Sequence, residues 1–87
     1  MKYIVYVLRS SEGKLYKGVT GDLKRRLSEH KAGKTFTTQK MTNLEVIYTE
    51  EYYEWGTARK REKYLKSAAG RRFLKQKLDA PDLKLLP

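Results

Sequence analysis

The chain predicts an α+β fold, a small antiparallel sheet flanked by helices, and three observations carry that prediction. Ile4-Val5-Tyr6-Val7-Leu8 and Leu15-Tyr16-Lys17-Gly18-Val19 are apolar runs rich in Val, Ile and Tyr, separated by Ser10-Ser11-Glu12-Gly13, a hairpin signal. A further run, Leu44-Glu45-Val46-Ile47-Tyr48, supplies another strand. Helix-periodic stretches follow the hairpin and the third run. The resulting order of strand, strand, helix, strand, helix, helix gives a sheet covered by helices.

The hairpin fixes its own register. Gly13 supplies the positive φ of a three-residue loop, a type I turn closed by a G1 bulge. Ser10 then opposes Lys14, Leu8 opposes Tyr16, and Tyr6 opposes Gly18. Side chains alternate with period two, so Tyr6 and Tyr16 share a face as diagonal neighbours about 7–8 Å apart at the backbone. Gly18, without a side chain, leaves space opposite Tyr6. A two-residue loop would put the tyrosines on opposite faces.

After the hairpin, Gly21-Asp22 opens a helix to about Lys31, with Asp22 as N-cap and Gly33 ending it. Residues 33–43, mostly polar and including Thr35, Thr37, Thr38 and Thr42, read as a loop. The third strand continues from Leu44 to about Tyr52. A second helix spans about Glu54 to Lys66, and a short third helix follows Gly70 and ends near Leu78. Residues 1–78 thus form one domain, and 79–87, with two prolines, a loose tail.

Composition narrows the functions. A chain of 87 residues is one domain near the lower end of what a single core supports. The absence of cysteine excludes disulfides and thiolate metal sites and suits a reducing cytoplasm. No apolar run approaches the roughly 20 residues of a membrane span, and the N-terminus lacks a signal-peptide core, so a cytoplasmic location is expected. The net charge of +10 is unevenly spread. Residues 57–77 carry Arg59, Lys60, Arg61, Lys63, Lys66, Arg71, Arg72, Lys75 and Lys77 against Glu62 alone. Such a stripe is the footprint of a polyanion binder.

On the first helix, Leu23 and Leu27 form one stripe, with Arg26 and His30 beside it at the edge of the buried seam. On the second, Trp55, Ala58, Glu62 and Leu65 fall on one stripe, which puts a carboxylate in the middle of an apolar face. An unpaired carboxylate there would be costly. Glu62 must pair with a buried base, Arg26 or Lys17, or hold a hard cation such as Mg²⁺ or Mn²⁺, which is content with one carboxylate, waters and substrate phosphate.

Val5-Tyr6-Val7 and Tyr16-Lys17-Gly18, with Thr20, Asp22, Leu23, Arg26 and His30 at their spacings, resemble the GIY-YIG endonuclease superfamily. The resemblance continues through Leu44 to Tyr48, Ala58, Arg61, Glu62, Leu65 and Gly70-Arg71-Arg72-Phe73-Leu74, covering roughly residues 2 to 77. The chain looks most like the small stand-alone bacterial members. The resemblance implies a three-stranded antiparallel sheet with the site on one face, and a divalent-metal-dependent endonuclease of a repair or processing type. It assigns catalytic roles to Tyr6, Tyr16, Arg26 and His30 and the single Mg²⁺ or Mn²⁺ to Glu62. By that resemblance Tyr6 is the base and Tyr16 a phosphate ligand. Substrate contacts are expected from Gly18, Lys17, Arg59, Lys63, Arg71 and Arg72, with DNA favoured over RNA and no membrane partner. The chain departs from the pattern in three places. The first motif lacks its glycine, Lys17 replaces an aliphatic residue and points off the tyrosine face, and the late asparagine is missing: Asn43 is too early and Gln76 is the nearest late amide. Those departures keep a second reading open, a non-catalytic nucleic-acid binder using Arg59, Lys63, Arg71 and Arg72 with Tyr52, Tyr53 or Trp55.

Overall fold

The computed structural model describes residues 1–33 and 42–85. Strands β1 (Tyr3–Arg9), β2 (Leu15–Thr20) and β3 (Glu45–Tyr52) and helices α1 (Leu23–Lys31), α2 (Trp55–Lys66) and α3 (Ala68–Leu85) follow in the expected order. They form a three-stranded antiparallel sheet of order β2-β1-β3.

The hairpin has the expected register, with Leu8 opposite Tyr16 and Tyr6 opposite Gly18. Its turn is closed by Gly13 N donating to the Ser10 carbonyl at 2.9 Å and Ser10 N donating to the Lys14 carbonyl at 2.9 Å. Gly13 has φ 86°, a conformation that a residue with a Cβ adopts only under strain.

Covering both faces buries the middle of β1, and Val5, Tyr6, Val7 and Leu8 are each at most 1% exposed. Alternation then divides two cores. Val5 and Val7 face α2 and α3, packing with Ala58, Leu65 and Leu74. Tyr6 and Leu8 face α1, packing with Leu44, Tyr16, Leu23 and Leu27. A bulge in β3, where Val7 pairs with Tyr48 but Leu8 pairs with Val46, leaves Ile47 as the extra residue. It sends both Ile47 and Tyr48 to the α2 side while Val46 stays with Tyr6.

Three expectations need correction. The helix after α2 starts at Ala68, before Gly70, because Ser67 ends α2 in extended geometry and its Oγ accepts from Gly70 N at 3.1 Å as the cap of α3. Gly70 is there for contact: a Cβ would meet the Leu65 Cα at 2.5 Å, so α3 turns tightly against the end of α2. The same helix runs to Leu85, past the expected end near Leu78. A proline inside a helix costs about 3 kcal/mol and one hydrogen bond, which is not by itself a stop. Trp55 leaves the α2 stripe: as the first helical residue it is 50% exposed and sits edge-on to Tyr3 at 5.5 Å. Most of the loop expected over 33–43 lies outside the described residues. No helix among the described residues is long and apolar enough to cross a membrane.

Candidate active site

Tyr6 stands at the centre of the α1 side of the sheet, and the sequence opposite prepares its seat. A Cβ on Gly18 would lie 2.5 Å from the Tyr6 hydroxyl and 2.6 Å from Cζ. The space opposite Tyr6 is therefore filled by the Tyr6 ring itself. Tyr16 lies on the same face, its ring 6.2 Å from that of Tyr6.

α1 brings the other two groups. Its start is fixed by Thr20 and Asp22: Asp22 N donates to Thr20 Oγ1 at 3.1 Å, and Asp22 Oδ1 accepts from Arg25 N at 3.0 Å. Leu23 and Leu27 then pack on the Tyr6 core. This phase carries His30 to 1% exposure, deeper than the seam edge that periodicity suggested, because the two tyrosine rings cover it. His30 Nε2 hydrogen-bonds the Tyr6 hydroxyl at 2.8 Å, and its ring lies 4.8 Å from that of Tyr16. Arg26, one turn earlier, donates to Glu29 Oε1 at 3.0 Å and reaches toward both phenols.

The electrostatics follow from burial. Burial pushes the Tyr6 phenol up to about 12, against the pull of the Arg26 guanidinium. Burial, then the charge of Arg26, holds His30 below the usual imidazole value. Arg26 is raised further by Glu29 and Tyr6 and stays permanently charged. At neutral pH the site is a neutral phenol and a neutral imidazole joined by one hydrogen bond, beside a fixed cation.

Glu62 is elsewhere. It is buried on α2 between Ala58 and Leu65, in the layer on the other sheet face. Its carboxylate pairs with Arg59 through Oε1 and with Lys66 through Oε2 at 3.1 Å. These partners, three and four residues away on its own helix, replace the expected Arg26 or Lys17. No hydrogen bond or ion pair among the described residues joins Glu62 to the phenol cluster. Its link is indirect, since Lys66 lines a cleft with Tyr16, Lys17, Arg71 and Leu15. As a metal ligand Glu62 fits a site completed by water and phosphate: it is a hard oxygen donor, and each paired oxygen keeps a second lone pair. Among the described residues no group of three or more His, Cys, Asp or Glu could hold a metal without such help.

Lys17 points to the α2 side, as expected, and burial followed by Arg71 and Lys66 lowers its ammonium pKa. Arg59, Lys63 and Arg72 are exposed on α2 and α3. The sequence reading missed one network. Glu50 accepts from Tyr52 at 2.7 Å, from Tyr48, and from Arg61 at 2.9 and 3.0 Å. Arg61 also covers the Phe73 ring at 4.6 Å. The signal was present in the alternation of Tyr48, Glu50 and Tyr52 along β3, which places all three on one face.

Comparison with known proteins agrees with the fold. The GIY-YIG catalytic domain matches residues 2–77. A UPF0213 protein of Autographa californica nuclear polyhedrosis virus is 35% identical over 86 residues, covering 95% of this chain and 82% of its own. A UPF0213 protein of Yersinia pestis is 34% identical over 80 residues, covering 91% and 84%. The solution NMR structure of a UPF0213 protein from Bacillus halodurans superposes with a TM-score of 0.56 at 26% identity, covering 87% of this chain and 84% of that one.

Proposed function

Since the chain belongs to the GIY-YIG catalytic domain family, a nuclease family, we propose that it is a divalent-metal-dependent endonuclease hydrolysing phosphodiester bonds, in DNA rather than RNA. The observation that carries this reading is the buried Tyr6–His30 hydrogen bond beside Arg26. A phenol kept near 12 is ionised in roughly one molecule in 10⁵ at pH 7, so a standing phenolate base is not the way this site works. Tyr6 acts as a relay: its O–H proton passes to His30 Nε2 as its oxygen takes a proton from the attacking water. The hydroxide formed attacks phosphorus, and the bond from phosphorus to the leaving strand oxygen breaks. Arg26 holds non-bridging phosphate oxygens and the developing charge. Tyr16 orients the same phosphate. A divalent ion held at Glu62 would neutralise phosphate charge and assist the departing oxygen.

One observation favours the alternative of a binding module without catalysis. Both Glu62 oxygens are occupied by cations, and the carboxylate lies apart from the phenols. Plasmid nicking with Mg²⁺, Mn²⁺ and EDTA separates the two. The nuclease reading expects metal-dependent nicking that Tyr6→Phe and Glu62→Gln abolish and that Arg26→Ala lowers about 10²–10³-fold, while binding persists. A wild-type chain that binds but never cuts nicked, branched or single-stranded DNA establishes the binding module.

A further inference from the structure

The cleft at the β2 edge is a place where the fold assembles cations from three elements. Lys17 of β2, Lys66 of α2 and Arg71 of α3 line a cavity of about 370 Å³ together with Leu15 and Tyr16. β2 is an edge strand, so the neighbours Tyr16 and Lys17, which point to opposite sheet faces, both reach this cavity around the edge. Like charges held together repel: burial first, then Arg71 and Lys66, lower the Lys17 ammonium pKa. Lys66 has Glu62 as a partner, whereas neither Lys17 nor Arg71 has an acid within ion-pair distance among the described residues. An anion in the cleft would relieve that repulsion. The cleft is also continuous with the chemistry, since the Tyr16 that lines it packs on His30 at 4.8 Å.

We propose that this cleft is a second phosphate subsite, in which Lys17, Lys66 and Arg71 grip a backbone phosphate of the bound strand next to the one presented to Tyr6 and Arg26. The strand then crosses the β2 edge, with Tyr16 between the two phosphates. The inference rests on the nuclease reading for the identity of the polyanion. It goes further by assigning Lys17, the residue that departs from the family's aliphatic position, to placing the strand.

The test is run in EDTA, where no cleavage complicates binding, on isotope-labelled protein. Inorganic phosphate and a short single-stranded DNA should each shift the resonances of Lys17, Lys66 and Arg71. Lys17→Gln with Arg71→Gln should remove those shifts, weaken DNA binding about tenfold or more, and flatten the salt dependence of log K by about 1.4, roughly 0.7 for each lost contact to a single strand. Arg71→Gln alone, at an exposed helix position, gives half that flattening if the double variant does not fold. Shifts confined to other residues, or an unchanged salt slope, would overturn the subsite. Cleft binding by a wild-type chain that never cuts with Mg²⁺ or Mn²⁺ supports the subsite while ending the nuclease reading. Cleavage whose KM is untouched by the double substitution does the reverse.

Discussion

Gly18 shows how one missing side chain can define a site. The Tyr6 ring and hydroxyl occupy the volume that a Cβ would take, and Tyr6 cannot retreat, being 1% exposed and held by His30. Gly18→Ala should therefore cost about 1–3 kcal/mol, as overpacking does in a full core, and should misplace the Tyr6 hydroxyl. Urea denaturation should show the loss and nicking assays an activity near background; wild-type values in both would mean the sheet yields at no cost. His30 makes a pH prediction. Its folded pKa lies below the ordinary 6.5, through burial and then Arg26. A depressed imidazole stabilises the fold above its unfolded pKa, and that contribution is lost as pH falls below about 6.5. The midpoint of thermal unfolding should decline from pH 6.5 toward 5, and His30→Gln should flatten the decline. Equal slopes in the two proteins would show that folding leaves the His30 imidazole unshifted. Neither the depth of His30 nor the partners of Glu62 was read correctly from sequence, for different reasons. His30 is buried by rings from other strands, which helical periodicity does not report. Arg59 and Lys66 stand at helical pair spacings from Glu62, and its burial is met along its own helix and not from across the fold.

Elements whose chemistry is local were legible. A glycine with positive φ fixed the hairpin loop, hence its register, hence the shared face of Tyr6 and Tyr16. Asp22 fixed the start of α1 and so the phase of Arg26 and His30. Elements decided by long-range contact were not. The start of α3 depends on Ser67 as cap and on the close approach of Gly70 to α2. The Glu50 network depends on β3 meeting α2, since Arg61 bonds Glu50 from the helix while Tyr48 and Tyr52 flank it on the strand. Burial alone would raise the Glu50 carboxyl, but Arg61 and the two tyrosines outweigh it and keep it low. Glu50→Gln would leave Arg61 partly buried without its anion, and removing one partner of a fully buried pair costs about 3–5 kcal/mol. With Arg61 still 28% exposed, about 2 kcal/mol is expected, read from the urea midpoint. Glu50→Gln should leave metal-dependent nicking per folded molecule unchanged, because the network lies away from the phenols. A selective loss of activity without loss of stability would instead tie β3 and α2 to the site.

At the scale of the whole molecule, the sheet separates two kinds of work. The α1 side holds the neutral, buried proton pair. The α2 and α3 side holds most of the positive charge, with Lys66 touching both Glu62 and the cleft at the β2 edge. The net charge of +10 arises mainly from residues 57–77, so attraction to a polyanion is directional. Each phosphate neutralised on a duplex releases about 0.9 of a counterion, and log K falls with log salt in proportion. A footprint of about six contacts then loses roughly 10³-fold in affinity between 50 and 200 mM salt. If these side chains meet phosphates and not base edges, Arg71→Glu with Arg72→Glu should weaken binding of every duplex sequence to a similar degree and lower the salt slope by about two. Fluorescence anisotropy across a salt series and several unrelated sequences measures both quantities. Tyr6→Phe, which leaves the basic face intact, should give the wild-type slope with no cleavage, separating attraction from chemistry. Binding indifferent to salt would take the basic face out of the interface, whereas a charge reversal that weakens one sequence and spares another would mean that α3 reads bases.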